Sequence, residues 1–155
     1  MKIFIDADAC PKVITEHLFK TAARLGLELV LVADKFMRIP SAENIRFIKV
    51  PPGTDSADLK IVELAEKNDV VITSDIPLAD LVIKKEAYAV SPRGEVYTGA
   101  NIKERLAVRD MMAEFRDNGM ETGGPPAFSP KDRINFINRF DKLITQLMRN
   151  RRPKL

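Results

Sequence analysis

The sequence of 155 residues is poor in the side chains that supply nitrogen and sulfur to metals, since it contains one cysteine and one histidine. One cysteine excludes a disulfide within the chain, which is typical of proteins in a reducing compartment, so we expect a cytoplasmic location. Zinc prefers nitrogen and sulfur ligands, and a zinc site is therefore disfavoured. Any bound metal would have to be one that accepts oxygen ligands.

Long hydrophobic runs are also missing. The longest apolar stretches, such as residues 27–33, are far shorter than the roughly 18 residues that span a bilayer, so we expect no membrane segment. With 45% hydrophobic and 30% charged residues, the composition is ordinary for a globular protein, and the length suits a single domain, which we place at residues 1–150. Residues 151–155 form a short basic tail, which is either a solvated terminus or a contact for phosphates.

Predicted strands and helices alternate along the first two thirds of the chain. The predicted strands are 2–5, 27–33, 45–50, 70–73 and 87–90, and the predicted helices between them are 11–25, 54–67 and 77–85. This alternation predicts an α/β fold with three layers (α/β/α), in which a doubly wound, mainly parallel sheet of about five strands lies between helices. No internal repeat is present.

The last third of the chain predicts two helices, at 102–116 and 130–149, joined by a loop that contains Thr-Gly-Gly-Pro-Pro at 122–126. The second helix carries an apolar stripe expected to face the sheet, made of Ile134, Ile137, Phe140, Leu143, Ile144 and Leu147. Gly123 and Gly124 could bring backbone N–H groups against a substrate phosphate, or the loop could act as a lid. Arg93, in a predicted turn, could clamp a phosphate or pair with a carboxylate of the protein.

Aspartates follow the first and the fourth predicted strands. Two more stand at the start of the helix that precedes the fourth strand. They are Asp6 and Asp8 after the first strand, Asp75 and Asp80 after the fourth, and Asp55 and Asp58 at the start of the helix. In open α/β sheets the ligand crevice lies beyond the carboxyl ends of the strands, where the winding reverses. If the first and fourth strands are neighbours, four or five of these carboxylates meet in one crevice.

Carboxylates at close range repel each other, so such a cluster is stable only with protons or cations between them. Oxygen ligands favour Mg²⁺ or Mn²⁺, and two such ions can activate water for phosphoryl chemistry without a nucleophilic side chain. The alternative is that each aspartate is a helix cap or a turn residue. That alternative explains Asp55 better than it explains Asp6, Asp8 and Asp75 together.

Four ordered segments resemble the sequence blocks of the uncharacterised bacterial YaiI/YqxD family, over about residues 3–147. They are 6–11 (Asp-Ala-Asp-Ala-Cys-Pro), 73–79 (Thr-Ser-Asp-Ile-Pro-Leu-Ala), 91–98 (Ser-Pro-Arg-Gly-Glu-Val-Tyr-Thr) and 122–126. That family is regarded as PIN-like, so the resemblance implies a single PIN-like domain related to metal-dependent ribonucleases. It implies metal carboxylates at Asp6 and Asp75 and a following acid at Asp80. Asp58 matches more loosely, because PIN enzymes usually have glutamate there.

We therefore predict a nuclease that depends on Mg²⁺ or Mn²⁺ and acts on RNA. The predicted catalytic residues are Asp6, Asp8, Asp75 and Asp80, the predicted metal ligands are the same four with Asp58, and the predicted substrate contacts are Arg93, Gly123 and Gly124.

Two other functions fit parts of the same pattern. In a haloacid-dehalogenase-like phosphatase, Asp6 would be the nucleophile and Asp8 the general acid, although Cys10 stands where that family usually has threonine. A non-catalytic module would bind RNA or protein through the basic tail and the Gly-Gly-Pro-Pro loop. The sequence lacks the interleaved aromatic and basic pattern of RNA stacking platforms, which weakens the case for sequence-specific recognition.

Overall fold

Six strands and five helices follow one another in the computed structural model, which describes residues 1–53, 55–124 and 126–151. The strands are β1 (Lys2–Asp6), β2 (Glu28–Ala33), β3 (Ile45–Lys49), β4 (Val70–Ile72), β5 (Tyr88–Val90) and β6 (Val96–Tyr97). The helices are α1 (Lys12–Leu25), α2 (Ser56–Leu64), α3 (Ile76–Lys84), α4 (Ile102–Asp117) and α5 (Pro130–Arg151), and a single 3-10 turn (Ala7–Ala9) follows β1.

The strands form one sheet in the order β3-β2-β1-β4-β5-β6. The first five strands run parallel, and the two-residue β6 pairs antiparallel with β5. The first and fourth strands are therefore neighbours, as the crevice prediction requires, and the winding reverses between them. The predicted α/β class with a mainly parallel sheet is confirmed.

Successive residues of a strand point to opposite faces of the sheet, and this alternation divides the core into two layers. Ile3 and Ile5 of β1 pack in the layer that contains the buried sides of α1 and α5. Phe4 packs in the other layer, with residues of α2, α3 and the first turn of α4. Because both faces are covered, the central strands are almost continuously apolar, which is why they could be recognised in the sequence.

Helix α5 is rotated relative to the predicted apolar stripe. Phe136 and Phe140 are fully buried and stack with ring centroids 5.2 Å apart, whereas Ile134 is 55% exposed. The buried side continues through Ile144 and Leu147, so the spacing from Phe136 is four, eight and eleven residues, as one face of a helix requires. The prediction that Ile134 faces the sheet is wrong, because it lies about 200° around the helix from Phe136.

Gly94 lies in the turn between β5 and β6, where that turn packs against α5. Its φ is +91°, and a Cβ atom at this position would lie 2.7 Å from the backbone carbonyl carbon of Asn135. The turn can therefore approach α5 only because residue 94 has no side chain.

Two predicted helices end at other residues than predicted. α2 stops at Leu64, because Ala65 is extended, rather than continuing to residue 67. α5 continues through Arg151, so the first residue of the predicted tail is helical, and residues 152–155 lie outside the described part of the chain. Among the described residues, no helix has both the length and the apolar character that a membrane span requires.

Candidate functional site

Asp6 is the last residue of β1 and is 8% exposed. Its Oδ2 accepts a hydrogen bond of 3.0 Å from the hydroxyl of Thr73, the residue that follows β4. Burial raises the pKa of Asp6, and the charges of Asp75 and Asp8 raise it further, while the Thr73 hydrogen bond opposes them. The carboxyl group is thus held against β4 at the point where the winding of the sheet reverses.

Asp75 is the N-cap of α3, and its Oδ1 accepts a hydrogen bond of 3.0 Å from the backbone N–H of Leu78. The backbone N–H of Asp75 donates to Thr73 Oγ1, also at 3.0 Å. Thr73 therefore links Asp6 to Asp75 through one hydroxyl. Thr73 was not among the predicted site residues, although its position directly after a buried strand and two residues before an aspartate is a signal that could have found it.

Asp58 lies in the first turn of α2 and is half-buried. Its pKa is raised from 3.8 to about 7, first by burial, then by a hydrogen bond with the Asp75 carboxyl group and by the charges of Asp75, Asp6 and Asp55. Burial and the neighbouring carboxylates therefore favour the protonated form of Asp58. Thr73 links Asp6 to Asp75, and Asp58 lies close enough to both for their charges to raise its pKa.

The other two predicted metal ligands make different contacts. Asp8 is exposed, and its Oδ2 accepts a hydrogen bond of 2.9 Å from the backbone N–H of Asp34, so it fastens the segment after β2 to the segment after β1. Asp80 forms an ion pair of 2.9 Å with Lys84, one turn further along α3. The predicted catalytic and metal-binding roles of Asp8 and Asp80 stay predictions.

The donor set at this site consists of carboxylate oxygens, which is the chemistry that Mg²⁺ and Mn²⁺ prefer. A cation bound there would relieve the repulsion that contributes to the raised pKa of Asp58. Within residues 1–53, 55–124 and 126–151, no three histidine, cysteine, aspartate or glutamate side chains are spaced as a metal-binding group. The residues therefore fit a divalent cation in the chemistry of their oxygen donors.

Comparison with known proteins assigns the chain to a family. The model described as "Uncharacterized BCR, YaiI/YqxD family" matches residues 4–146. The chain belongs to the YaiI/YqxD family. A UPF0178 protein of Colwellia psychrerythraea is 56% identical over 94% of this chain and 97% of its own length. UPF0178 proteins of Maridesulfovibrio salexigens and Syntrophotalea carbinolica are 52% and 51% identical, each over 94% of this chain and over 97% and 99% of their own lengths. No solved structure matches the chain.

Arg93 of this YaiI/YqxD protein makes contacts within the chain. Its Nη1 donates to Asp132 Oδ2 at 2.9 Å, its Nη2 donates to the backbone carbonyl of Pro126, and its guanidinium lies 5.9 Å from the ring centre of Phe128. Arg93 therefore fastens the loop before α5 to the β5–β6 turn, which is the pairing with a carboxylate considered as the alternative to phosphate binding. The Arg93 side chain keeps 35% exposure, so these contacts do not bury it completely.

A cavity of about 340 Å³ lies beside Arg93 and Glu95. Its lining includes Ala9, Ser74, Ser91, Arg93 and Tyr97, and Ser74 directly precedes Asp75. The cavity thus connects Arg93 with the carboxyl ends of β1, β4 and β5, where a ligand of an open α/β sheet is expected.

Gly123 and Gly124 lie in the loop between α4 and α5, and both are exposed. Gly123 has a left-handed φ of +66°, and a Cβ atom at either glycine would meet nothing within 4 Å. No close approach of another segment therefore explains these two glycines, and their predicted contact with phosphate stays a prediction. Pro125 lies outside the described residues.

Proposed function

We propose that this YaiI/YqxD protein is a phosphodiester hydrolase that depends on a divalent cation and acts on RNA. The observation that carries the proposal is the Thr73 hydroxyl, which donates to Asp6 Oδ2 and accepts from the Asp75 backbone N–H, each at 3.0 Å. It holds two aspartates together at the carboxyl ends of β1 and β4, at the reversal of winding, and their charges raise the pKa of Asp58. Strongly shifted carboxyl groups in such a crevice are characteristic of functional sites.

A purely structural role accounts poorly for this arrangement. Asp75 caps α3, but a cap does not require a second carboxylate, Asp58, whose pKa is raised by the charge of Asp75. Asp58 and Asp75 repel each other once both are ionised. Asparagine at either position would remove this repulsion, and its side-chain oxygen could still accept a hydrogen bond from a backbone N–H. Sites that keep such a repulsion usually keep it for binding or catalysis.

Asp6, Asp58 and Asp75 would hold the cation. A divalent ion bound there supplies positive charge to the phosphate oxygens and lowers the pKa of a coordinated water. Thr73 fixes the orientation of Asp6 through its hydroxyl, and the N–H of Leu78 fixes that of Asp75. Both carboxyl groups are therefore preorganised, which is what electrostatic stabilisation of a phosphoryl transition state requires.

Arg93 and the two loop glycines are the proposed phosphate contacts. Arg93 and Ser74 line the same cavity, so a substrate phosphate in it would be next to the arginine and to the residue that precedes Asp75. Asp8 and Asp80 are proposed to assist at the edge of the site. Asp8 already accepts a hydrogen bond from the Asp34 N–H, and Asp80 already pairs with Lys84.

The test is cleavage of a labelled single-stranded RNA in Mg²⁺ or Mn²⁺ by the wild type and by Asp6→Asn and Asp75→Asn. Asparagine keeps the acceptor for Thr73 and the cap of α3, so both variants should fold, and each should lose at least about a hundredfold in turnover. Asp117→Asn, at an exposed position of α4, is the matched control and should keep full activity. Unchanged turnover in either site variant, or no cleavage by the wild type, would contradict the proposal.

A phosphatase with Asp6 as nucleophile is less well supported. A carboxylate nucleophile has to be ionised and accessible, whereas Asp6 is 8% exposed and its pKa is raised by burial. A covalent aspartyl phosphate or phosphate-mimic adduct on Asp6, detected by mass spectrometry, would favour the phosphatase over the nuclease.

A further inference from the structure

We propose that the loop after β2 forms a subsite for an unpaired nucleotide of single-stranded RNA, beside the acidic residues. We define the Phe36 loop as residues 34–40. The choice of RNA as the occupant rests on the proposed function, whereas the presence of a binding surface rests on the exposure, shape and charge of the loop itself.

The Phe36 loop lies at the same edge of the sheet as the candidate site. Asp6 at the end of β1 pairs in register with Val32 of β2, so the residues that follow the two strands emerge side by side. The backbone N–H of Asp34 donates to Asp8 Oδ2 at 2.9 Å, which fastens the start of the loop to the segment after β1. A ligand on the loop would therefore be next to the segment that carries Asp6 and Asp8.

Phe36 is 80% exposed, the highest exposure of the large hydrophobic residues that the structure describes. Its ring is held edge to face against Phe47 of β3, with centroids 5.9 Å apart and an angle of 72° between the planes. The ring is thus supported from the sheet and still accessible to solvent. An exposed, oriented aromatic ring is the feature on which unpaired bases stack.

A groove of about 610 Å³ runs between the Phe36 loop and α1. Its apolar lining comes from Cys10, Phe19, Met37, Ile39 and Pro40. The volume falls within the range of roughly 300–1,000 Å³ that is common for small-ligand sites. Burial raises the pKa of the Cys10 thiol to about 11, so the thiol stays neutral and adds no charge to this lining.

The groove and the Phe36 loop together carry three basic residues and two acidic ones, Glu16 and Asp34. Lys12 and Arg38 line the groove, Lys35 stands beside Phe36, and all three side chains are exposed. Glu16 is the one acidic residue of the lining. Among the described residues none of the three cations is in an ion pair. An apolar groove and an aromatic ring bordered by unpaired cations match a nucleotide, whose base is flat and apolar and whose phosphate is anionic.

The segment Lys35-Phe36-Met37-Arg38 places one aromatic residue between two cations. Residues 46–49 and 139–142 do the same, but Phe47 is half-buried and Phe140 is buried, whereas Phe36 is exposed. One aromatic residue stacks on the face of one unpaired base, and every base has such a face. We therefore expect a preference for single strands over duplexes and little preference among base sequences.

The test is the fluorescence anisotropy of a short labelled single-stranded RNA in EDTA, where binding does not depend on metal or cleavage. Phe36→Ala should weaken binding about fivefold or more, the loss of one base–aromatic stack, whereas Phe36→Trp should keep it. Arg38→Ala should weaken binding and reduce its salt dependence. The matched controls are Met120→Ala, at a residue 57% exposed, and Lys103→Ala, and both should bind as the wild type does.

The proposal is overturned if Phe36→Ala binds within about twofold of the wild type, since one stack is worth more than that. It is also overturned if the wild type does not bind the single strand or binds a matched duplex equally well. Failure of the hydrolase proposal gives a different result: normal, Phe36-dependent binding in EDTA, with no cleavage when metal is added. Because Phe36 is exposed, its replacement should leave the far-ultraviolet circular dichroism spectrum unchanged.

Discussion

Replacing Asp58 with asparagine should stabilise the metal-free protein at neutral and alkaline pH. The pKa of Asp58 is about 7 in the folded protein, against an ordinary value of 3.8, so the folded protein keeps a proton that the unfolded chain loses between these values. The free energy of unfolding of the wild type should therefore fall as pH rises from about 4 to 7 and level off above it. Asparagine has no such proton to lose, and its amide can donate to Asp75.

The size of the effect follows from the same shift. At about 1.4 kcal/mol per pH unit, the upper limit is about 4 kcal/mol above pH 7. Because Asp58 is only half-buried, solvent screening reduces this to about 1–2 kcal/mol. For a chain of this length, that corresponds to a rise of about 2–8 °C in the midpoint of thermal unfolding.

The assay is thermal and urea unfolding in EDTA at pH 4.5, 6 and 8, for the wild type, Asp58→Asn and the control Asp117→Asn. We expect Asp58→Asn to be more stable at pH 8 and the difference to shrink towards pH 4.5, while the control changes by less than about 0.5 kcal/mol. A variant that is equally or less stable at pH 8, or a difference that does not depend on pH, would refute the argument that Asp58 is held against other carboxylates.

Two further substitutions test how the site and α5 are supported. Thr73→Val keeps the shape of the side chain but removes the hydroxyl that donates to Asp6, so urea unfolding at pH 7 should show a loss of about 1–3 kcal/mol, and a loss below about 0.5 kcal/mol would contradict this. Gly94→Ala should destabilise the protein by about 2–4 kcal/mol, because its Cβ would lie 2.7 Å from the backbone of Asn135, whereas Gly99→Ala, where nothing lies within 4 Å, should be nearly neutral. Equal effects of the two glycine substitutions would show that the β5–β6 turn is not held against α5.

The parts of the fold that sequence could predict are those with a strong local pattern. The parallel strands are continuous apolar runs because helices cover both faces of the sheet, and Gly26, with φ +66°, ends α1 where the sequence indicates. Strand β6 has two residues, too few for any periodicity. The phase of α5 was misjudged because Ile134 and Phe136 are both apolar, and only packing against the sheet decides which of them is buried.

In the candidate site, too, some features could be predicted from the sequence and others depend on packing. Asp6 and Asp75 could be placed together from sequence because the ends of adjacent parallel strands must meet at one edge of the sheet. The effect of Asp75 on the pKa of Asp58 depends on how α2 packs, which no local pattern encodes. Asp80 has a lysine four residues later, so its ion pair with Lys84 was visible in the sequence as a helix-surface pair.

The proposed hydrolase activity requires that Asp6, Asp58 and Asp75 hold a divalent cation. Isothermal titration calorimetry with Mn²⁺ and Mg²⁺ at pH 8, on the wild type, Asp6→Asn and Asp117→Asn, tests this most directly. We predict saturable binding to the wild type and to Asp117→Asn, and a loss of about tenfold or more in affinity for Asp6→Asn. Absence of binding to the wild type, or equal affinity in Asp6→Asn, would contradict the account.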